Sequence, residues 1–279
     1  MTALLLALAS SIAYGAADFL GGFASRGAHV LRVVAVAAPV SLVVELLLWP
    51  LIGASFSGGA IVWGAASGVA SAVVFALLYK TLALGPMSIL SPITALVSAA
   101  LPVAVGLASG DTLSALAVAG IVLALLAVVV VSGGGDAGGV RPSRDALLLA
   151  FGAGAAIAVQ LICLDQAPND SGVAPLILGR AVSSLLVIGA AVALGAGRLG
   201  PERPDFRFAA GAGALDSLAN FAFLIATRHG DLSIVAVITA LYPAATVLLA
   251  RVLLGERIGR LQLAGLGVAA VAVSLLAVG

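Results

Sequence analysis

The sequence predicts an all-α integral membrane protein: ten transmembrane helices arranged as two inverted five-helix repeats. Three observations predict it. The 279-residue chain is 62% hydrophobic and 9% charged, with a mean hydropathy of +1.25. Soluble domains carry about 45–50% apolar and about 25% charged residues, so this chain lacks the polar surface to cover a globule in water. Its apolar residues fall into ten runs close to the length that spans a bilayer. Finally, the second half repeats part of the first at an offset of 145 residues.

Crossing the hydrocarbon takes about 20 helical residues. The ten runs cover roughly 2–24, 31–53, 60–82, 87–108, 113–132, 145–165, 172–195, 207–227, 232–254 and 260–278. The first lacks a basic leader, carries Asp18 and has a second span close behind it, so it reads as a retained helix and not a signal peptide. Short punctuated breaks separate the spans: Arg26–His29, Ser57-Gly58-Gly59, Gly85-Pro86, Gly110-Asp111, Gly200-Pro201 and Gly255-Glu256. A longer Gly-rich linker at 133–144 divides a first repeat, 1–132, from a second, 145–279.

At the 145-residue offset, Gly85–Val122 aligns with Gly230–Gly267 without a gap, and 13 of the 38 pairs are identical. Five helices per half is an odd number, so the two halves insert with opposite orientation. Inverted repeats of this kind are a recurring design of secondary transporters, with the substrate site between the halves near mid-membrane. The basic residues follow the same scheme. Eleven of the 13 Lys and Arg residues lie in or beside the loops after spans 1, 3, 5, 7 and 9; only Arg180 and Arg228 lie toward the other side. The positive-inside rule therefore predicts a multi-pass protein of the plasma (inner) membrane, with those five loops in the cytoplasm and both termini outside.

Charges at membrane depth are expensive and are functional candidates by default. Asp216 lies near the middle of the eighth span, on one stripe with Gly213, Ser217 and Asn220. It is a candidate proton carrier, or else an acid satisfied by Asn220 or by a neighbouring helix. Its repeat counterpart is Ser71, on the Trp63–Ser67–Ser71 side of the third span. Asp18, one turn from Tyr14, is either a second coupling or substrate group or an interfacial acid paired with Lys80 or Arg32. Glu45 and Arg180, on the equivalent second and seventh spans, are a candidate gate pair. Pro86, Pro92 and Pro102 punctuate the fourth span and Pro243 the ninth. Interrupted helices in matching positions point to a binding site, which makes Ser88, Ser91, Thr94, Ser98, Thr239 and Tyr242 cavity candidates. Hydroxyls back-bonded to their own helix are the plain alternative for the Ser and Thr residues. Tyr79 joins the aromatic members of the expected cavity.

Other chemistry has no signature. Walker A, HExxH, GxSxG and Rossmann patterns are absent. Cys163 is the only cysteine, and His29 and His229 are isolated, so no disulfide, metal or cofactor is expected. A net charge of +1 offers no surface for nucleic acid. The expected partners are a small-molecule substrate, the lipid bilayer and protons; the oligomeric state is open.

Three stretches carry a family resemblance: AYGAADFLGGFASR, LLYKTLALGPMSILSPITAL and RHGDLSIVAVITALYPAATVLLARVLLGERIGRLQLAG. They resemble the drug/metabolite transporter (DMT) superfamily, in its EamA-type ten-helix branch. The second half shows the pattern in full in Gly230, Ser233, Pro243, Gly255, Glu256, Gln262 and Gly265. The first half departs from it at Ser98, Asp111 and Ala117. The resemblance implies a plasma-membrane secondary carrier, often an exporter of amino acids or other metabolites, with a central cavity lined mainly by spans 1, 3, 4, 6, 8 and 9. Glu256 is read here as a helix-start residue favourable to the tenth span's dipole. Together the observations favour an alternating-access carrier of small metabolites such as amino acids over an enzyme. A facilitative metabolite or sugar carrier, an intramembrane lipid-modifying enzyme and a passive channel are the alternatives.

Overall fold

The computed structural model describes residues 1–84, 87–133, 143–199, 202–254 and 259–278. The side chains of 87–89, 92, 131–133, 196–198, 254, 266 and 277–278 also fall outside the description. Expectations resting on Pro86, on the Ser88 and Pro92 side chains, on Glu256 and on most of the 133–144 linker therefore lie outside the described residues.

The described residues form eleven α-helices and one short 3-10 turn, with no strand. In order these are α1 (Thr2–Gly27), α2 (Val30–Ile52), α3 (Gly58–Leu84), α4 (Met87–Ser109), α5 (Ala115–Gly133), α6 (Arg144–Asp165), the turn Asn169–Ser171, α7 (Ala174–Arg198), α8 (Phe206–Thr227), α9 (Leu232–Thr239), α10 (Pro243–Leu254) and α11 (Arg260–Val278). Seven segments are long and apolar enough to cross a membrane; in one of them, Leu232–Leu253, α9 and α10 run together. Three further apolar helical stretches are shorter: Ile93–Ser109, Ala115–Val130 and Arg260–Leu276. The protein is thus an all-helical, multi-pass membrane protein.

The sequence predicts one helix over 232–254; the structure breaks it at residues 240–242. Pro243 causes the break. It has no N–H to donate, and its ring crowds the carbonyl four residues back, at Thr239. The Thr239 carbonyl instead accepts from the Tyr242 N–H at 3.1 Å, and Leu241 N donates to Ile238 O at 3.1 Å. This tight turn points the chain of Thr239–Tyr242 into the protein. The first-half counterpart, α4, runs through without a break.

The helices pack in pairs that cross the linker. α1 lies on α8, and α3 on α6. α2 meets α8, and α3 meets α7. α4 meets α6, and α1 meets α10; α2 lies on α7, and α5 on α11. Small residues permit the close crossings. A side chain on Gly68 would place its Cβ 2.9 Å from the Gly179 Cα and 2.8 Å from the Val182 Cβ. One on Gly213 would meet the Ala37 backbone in the same way.

Loop contacts define two ends. At one, Ala54 and Gly172 form an antiparallel bridge, with Ser55 N donating to Ser171 O at 3.0 Å and Val173 N to Gly53 O at 3.0 Å. Arg228 donates to the Gly172 carbonyl at 2.8 Å, and the Ser233 N–H donates to Asp111 Oδ2 at 3.0 Å. The loops after α2, α4, α6 and α8 thus gather at this end. At the other end, Arg32 Nη1 donates to the Glu202 carbonyl at 3.3 Å, joining the loops after α1 and α7. Each end has its own apolar core. Ala7, Leu164, Leu176, Phe223 and Val237 belong to the first; Phe19, Val33, Ala37, Phe75 and Ala212 belong to the second. Between these two cores lies a layer of buried polar residues.

Candidate functional site at the centre of the helix bundle

Four helices send polar side chains into this layer. Arg180 stands on the second turn of α7, 3% exposed, and organises it. Its Nε donates to Glu45 Oε1 of α2 at 3.3 Å, and its Nη1 donates to Ser71 Oγ of α3 at 2.5 Å. Its Nη2 forms a salt bridge with Asp216 Oδ2 of α8. The Phe75 ring lies 5.2 Å from the guanidinium carbon, which adds a cation–π contact. A guanidinium presents five donors in a fixed fork, so one residue can satisfy several acceptors at once. Without such partners a buried arginine would not be tolerated at this depth.

Asp216 and Ser71 are equivalent positions under the 145-residue offset, and they converge on the same guanidinium. The sequence pairs Arg180 with Glu45 and offers Asp216 either Asn220 or a neighbouring helix as its partner; the structure supplies the neighbouring helix. In the structure Asn220 instead donates to the Asp216 backbone carbonyl, at 2.8 Å, and accepts from Gln160 Nε2 at 2.7 Å. The Asp216 carboxylate belongs to Arg180.

A cavity opens on the α10 side of this layer. Its volume is about 30 Å³, and it is lined by Tyr14, Asp18, Phe75, Tyr79, Gln160, Asp216, Thr239 and Tyr242, among others. That is room for little more than a water molecule, so the helices close tightly around it. Most of its walls are apolar. The hydroxyls of Tyr14 and Thr239 have no hydrogen-bond partner, and that of Tyr242 is likewise unpaired, with Ser98 beside it in the wall. A smaller cavity of about 10 Å³ lies beyond Arg180, bounded by Ser67, Ser71, Gln160, Leu176, Arg180 and Asn220. The Arg180 layer and Gln160 form the partition between the two.

Asp18 differs from the other acids. It is 5% exposed and faces the main cavity, yet no cation lies within ion-pair distance of it among the described residues. The expected partners are elsewhere: Lys80 is exposed, and Arg32 reaches Glu202. Trp63 lines neither cavity and is 36% exposed at the start of α3. Eight residues of helix turn a side chain through a net angle of about 80°, so Trp63 drifts off the face that Ser71 holds. Thr94 bonds back to Leu90 O at 3.0 Å and stays within its own helix. The sequence reading missed Gln160 and Phe75. Gln160 carries a signal like that of Asp216, a polar residue inside an apolar span, though about three quarters of the way along it. Phe75 carries none, because only packing puts its ring over a cation.

Outside the spans, Arg228 is the polar clasp of the end that holds the Ala54–Gly172 bridge. It also donates to Ser171 Oγ, at 3.3 Å. Burial pulls its guanidinium below the usual arginine range, and the nearby Asp170 pulls it back up.

The charged partition and the mostly apolar cavity thus lie between helices from both halves of the chain. Residues 145–278 match the EamA-like transporter family, a match in keeping with a membrane transporter of the DMT type. The match falls on the half in which the sequence motif is complete. No curated relative matches the sequence. Among solved structures, 27 chains match. One crystal structure covers 97% of this chain and 96% of its own, with a TM-score of 0.69 and 16% identity. At that identity the likeness is one of fold alone.

Proposed function

We propose that the protein is a proton-coupled, alternating-access exporter of small metabolites that carry an amine on a partly apolar body, amino acids among them. One observation carries the reading: a cavity of apolar and tyrosine walls holds an unpaired carboxylate, Asp18, beside an ion-paired one, Asp216. A cationic amine answers the Asp18 charge, and the tyrosine hydroxyls of Tyr14 and Tyr242 supply orienting polar contacts. A proton occupies the same carboxylate in the return step. The two ligands then compete, which is the usual logic of an exchanger.

Arg180 is the gate in this reading. It ties α7 to α2, α3 and α8, so it joins the two halves of the chain. Opening toward the smaller cavity requires some of these contacts to break and remake. The ten spans, the division into repeats at 133–144 and the inverted arrangement belong to the same proposal. Their support is the pairing pattern: exchanging α1 with α6, α3 with α8 and α4 with the α9–α10 unit turns each main contact into another that exists. The plasma membrane and outward termini rest on the distribution of basic residues.

The deciding experiment uses proteoliposomes loaded with a pH-sensitive dye and challenged with amino acids and related amines one at a time. The expected result is a saturable, substrate-dependent proton movement that Asp18→Asn abolishes. Saturable exchange of labelled solute without a proton signal would make the protein a facilitator. Non-saturating conductance would make it a channel.

A further inference from the structure

A groove lies at the end where Arg32 meets Glu202, between α2 and the last turns of α7. It does not connect with the central site. Ala35 and Val36 of α2 form one wall, and Ile188, Ala191 and Val192 of α7 the other. Arg32, Arg203, Pro204 and Phe206 stand at its mouth, and its volume is about 470 Å³. Gly195 shapes it. With a φ of +73°, a conformation that suits glycine alone, it turns the chain out of the helix and leaves the Ile188–Val192 face uncovered. Val192 is 75% exposed and Phe206 65% exposed, so these walls look outward from the bundle.

We infer that this groove binds an anionic phospholipid. The occupant follows from the two kinds of surface it presents together. The apolar walls at membrane depth suit an acyl chain. Among the described residues, the only charged side chains lining the groove are two guanidiniums, which suit the oxygens of a phosphate head group. The carboxylates of the adjoining loop do not line it. Asp205 accepts the Arg207 backbone N–H at 2.9 Å and caps α8, and Glu202 turns its carbonyl to Arg32. A zwitterionic head group would set a second cation against the two arginines. A phospholipid with net negative charge would not. Basic pockets between membrane helices recognise anionic lipids by this combination.

The test is native mass spectrometry of the full-length protein released from detergent. The probes are equimolar dimyristoyl phosphatidylglycerol and dimyristoyl phosphatidylcholine. Wild type is expected to retain the glycerol lipid preferentially. Each arginine near the membrane surface contributes about five-fold to such binding. Arg203→Gln, at an exposed position, should lower the preference by about that factor. Arg32→Gln/Arg203→Gln together should erase it. Arg260→Gln, a basic residue outside the groove, should leave it unchanged. Equal retention of the two lipids by wild type, or a loss of preference as large in Arg260→Gln as in Arg203→Gln, would overturn the assignment. If the double variant unfolds, Arg203→Gln against Arg260→Gln still decides the matter.

Discussion

Arg180 faces two carboxylates with a single charge, and the balance between them sets what substitutions there do. Removing the arginine leaves Glu45 and Asp216 buried side by side without a cation. Breaking a buried ion pair from one side typically costs about 3–5 kcal/mol. Arg180→Met is therefore expected to lower the melting temperature in detergent sharply, as followed by circular dichroism. Asp216→Asn keeps Glu45 and Ser71 on the guanidinium and should cost less than half as much. Tyr242→Phe removes a hydroxyl that has no partner, so the melting temperature should hold within the error of the scan. If the hydroxyl orients the transported solute, the KM of flux rises while folding is untouched. The individual acids were legible in the sequence because a charge at membrane depth stands out against apolar neighbours. Their partners were not. Which carboxylate meets Arg180 depends on how α7 sits between α2, α3 and α8, and no spacing along one helix records that. Trp63 shows the opposite error: a four-residue spacing looks like one face over short lengths but rotates steadily away from it.

The helices themselves follow from apolar run length and from the Gly, Pro and Asp residues that punctuate the loops. Their ends fall within three residues of the runs read from the sequence in every described case except the ninth span, which Pro243 divides. The proline was visible, but the turn it starts depends on the carbonyls of Ile238 and Thr239 finding new donors. Close crossings give the sharpest element-level prediction. α3 and α7 touch through Gly68 and Gly179, and rigid backbone leaves no room to yield. Overpacking a tight contact costs about 1–3 kcal/mol and sometimes more. Gly68→Val should depress the melting temperature and separate α3 from α7. It should also loosen the Arg180–Ser71 contact, which the same crossing holds. Gly27→Val, at a helix end with open space around it, is the matched control and should be silent.

At the scale of the whole molecule, the loops gather at two ends, and the basic residues at one of them set the expected orientation. In a Cys163→Ala background, a membrane-impermeant maleimide added to intact cells should label Ser57→Cys. It should label Glu202→Cys only after permeabilisation. The reverse pattern would invert the assignment of inside and outside, and labelling of both would break it. The self-match suggests two repeats, but nothing along the chain records how the helices on either side of the linker interlock. α1 lies on α8 and α3 on α6, so each half packs chiefly against the other, and neither encloses a core of its own.

The unpaired carboxylate of Asp18 also has an electrical consequence. If it always leaves one side with an amine and returns with a proton, each limb of the cycle moves the protein's own charges under the same load. For a monocationic amine the exchange carries no net current, and the voltage across the membrane neither drives nor opposes it. For a zwitterion the exchange carries one net charge inward per turnover, and each 100 mV contributes about 2.3 kcal/mol. Clamping the voltage with valinomycin and potassium therefore separates the two kinds of solute: flux of the zwitterion follows the clamp, and flux of the cation ignores it.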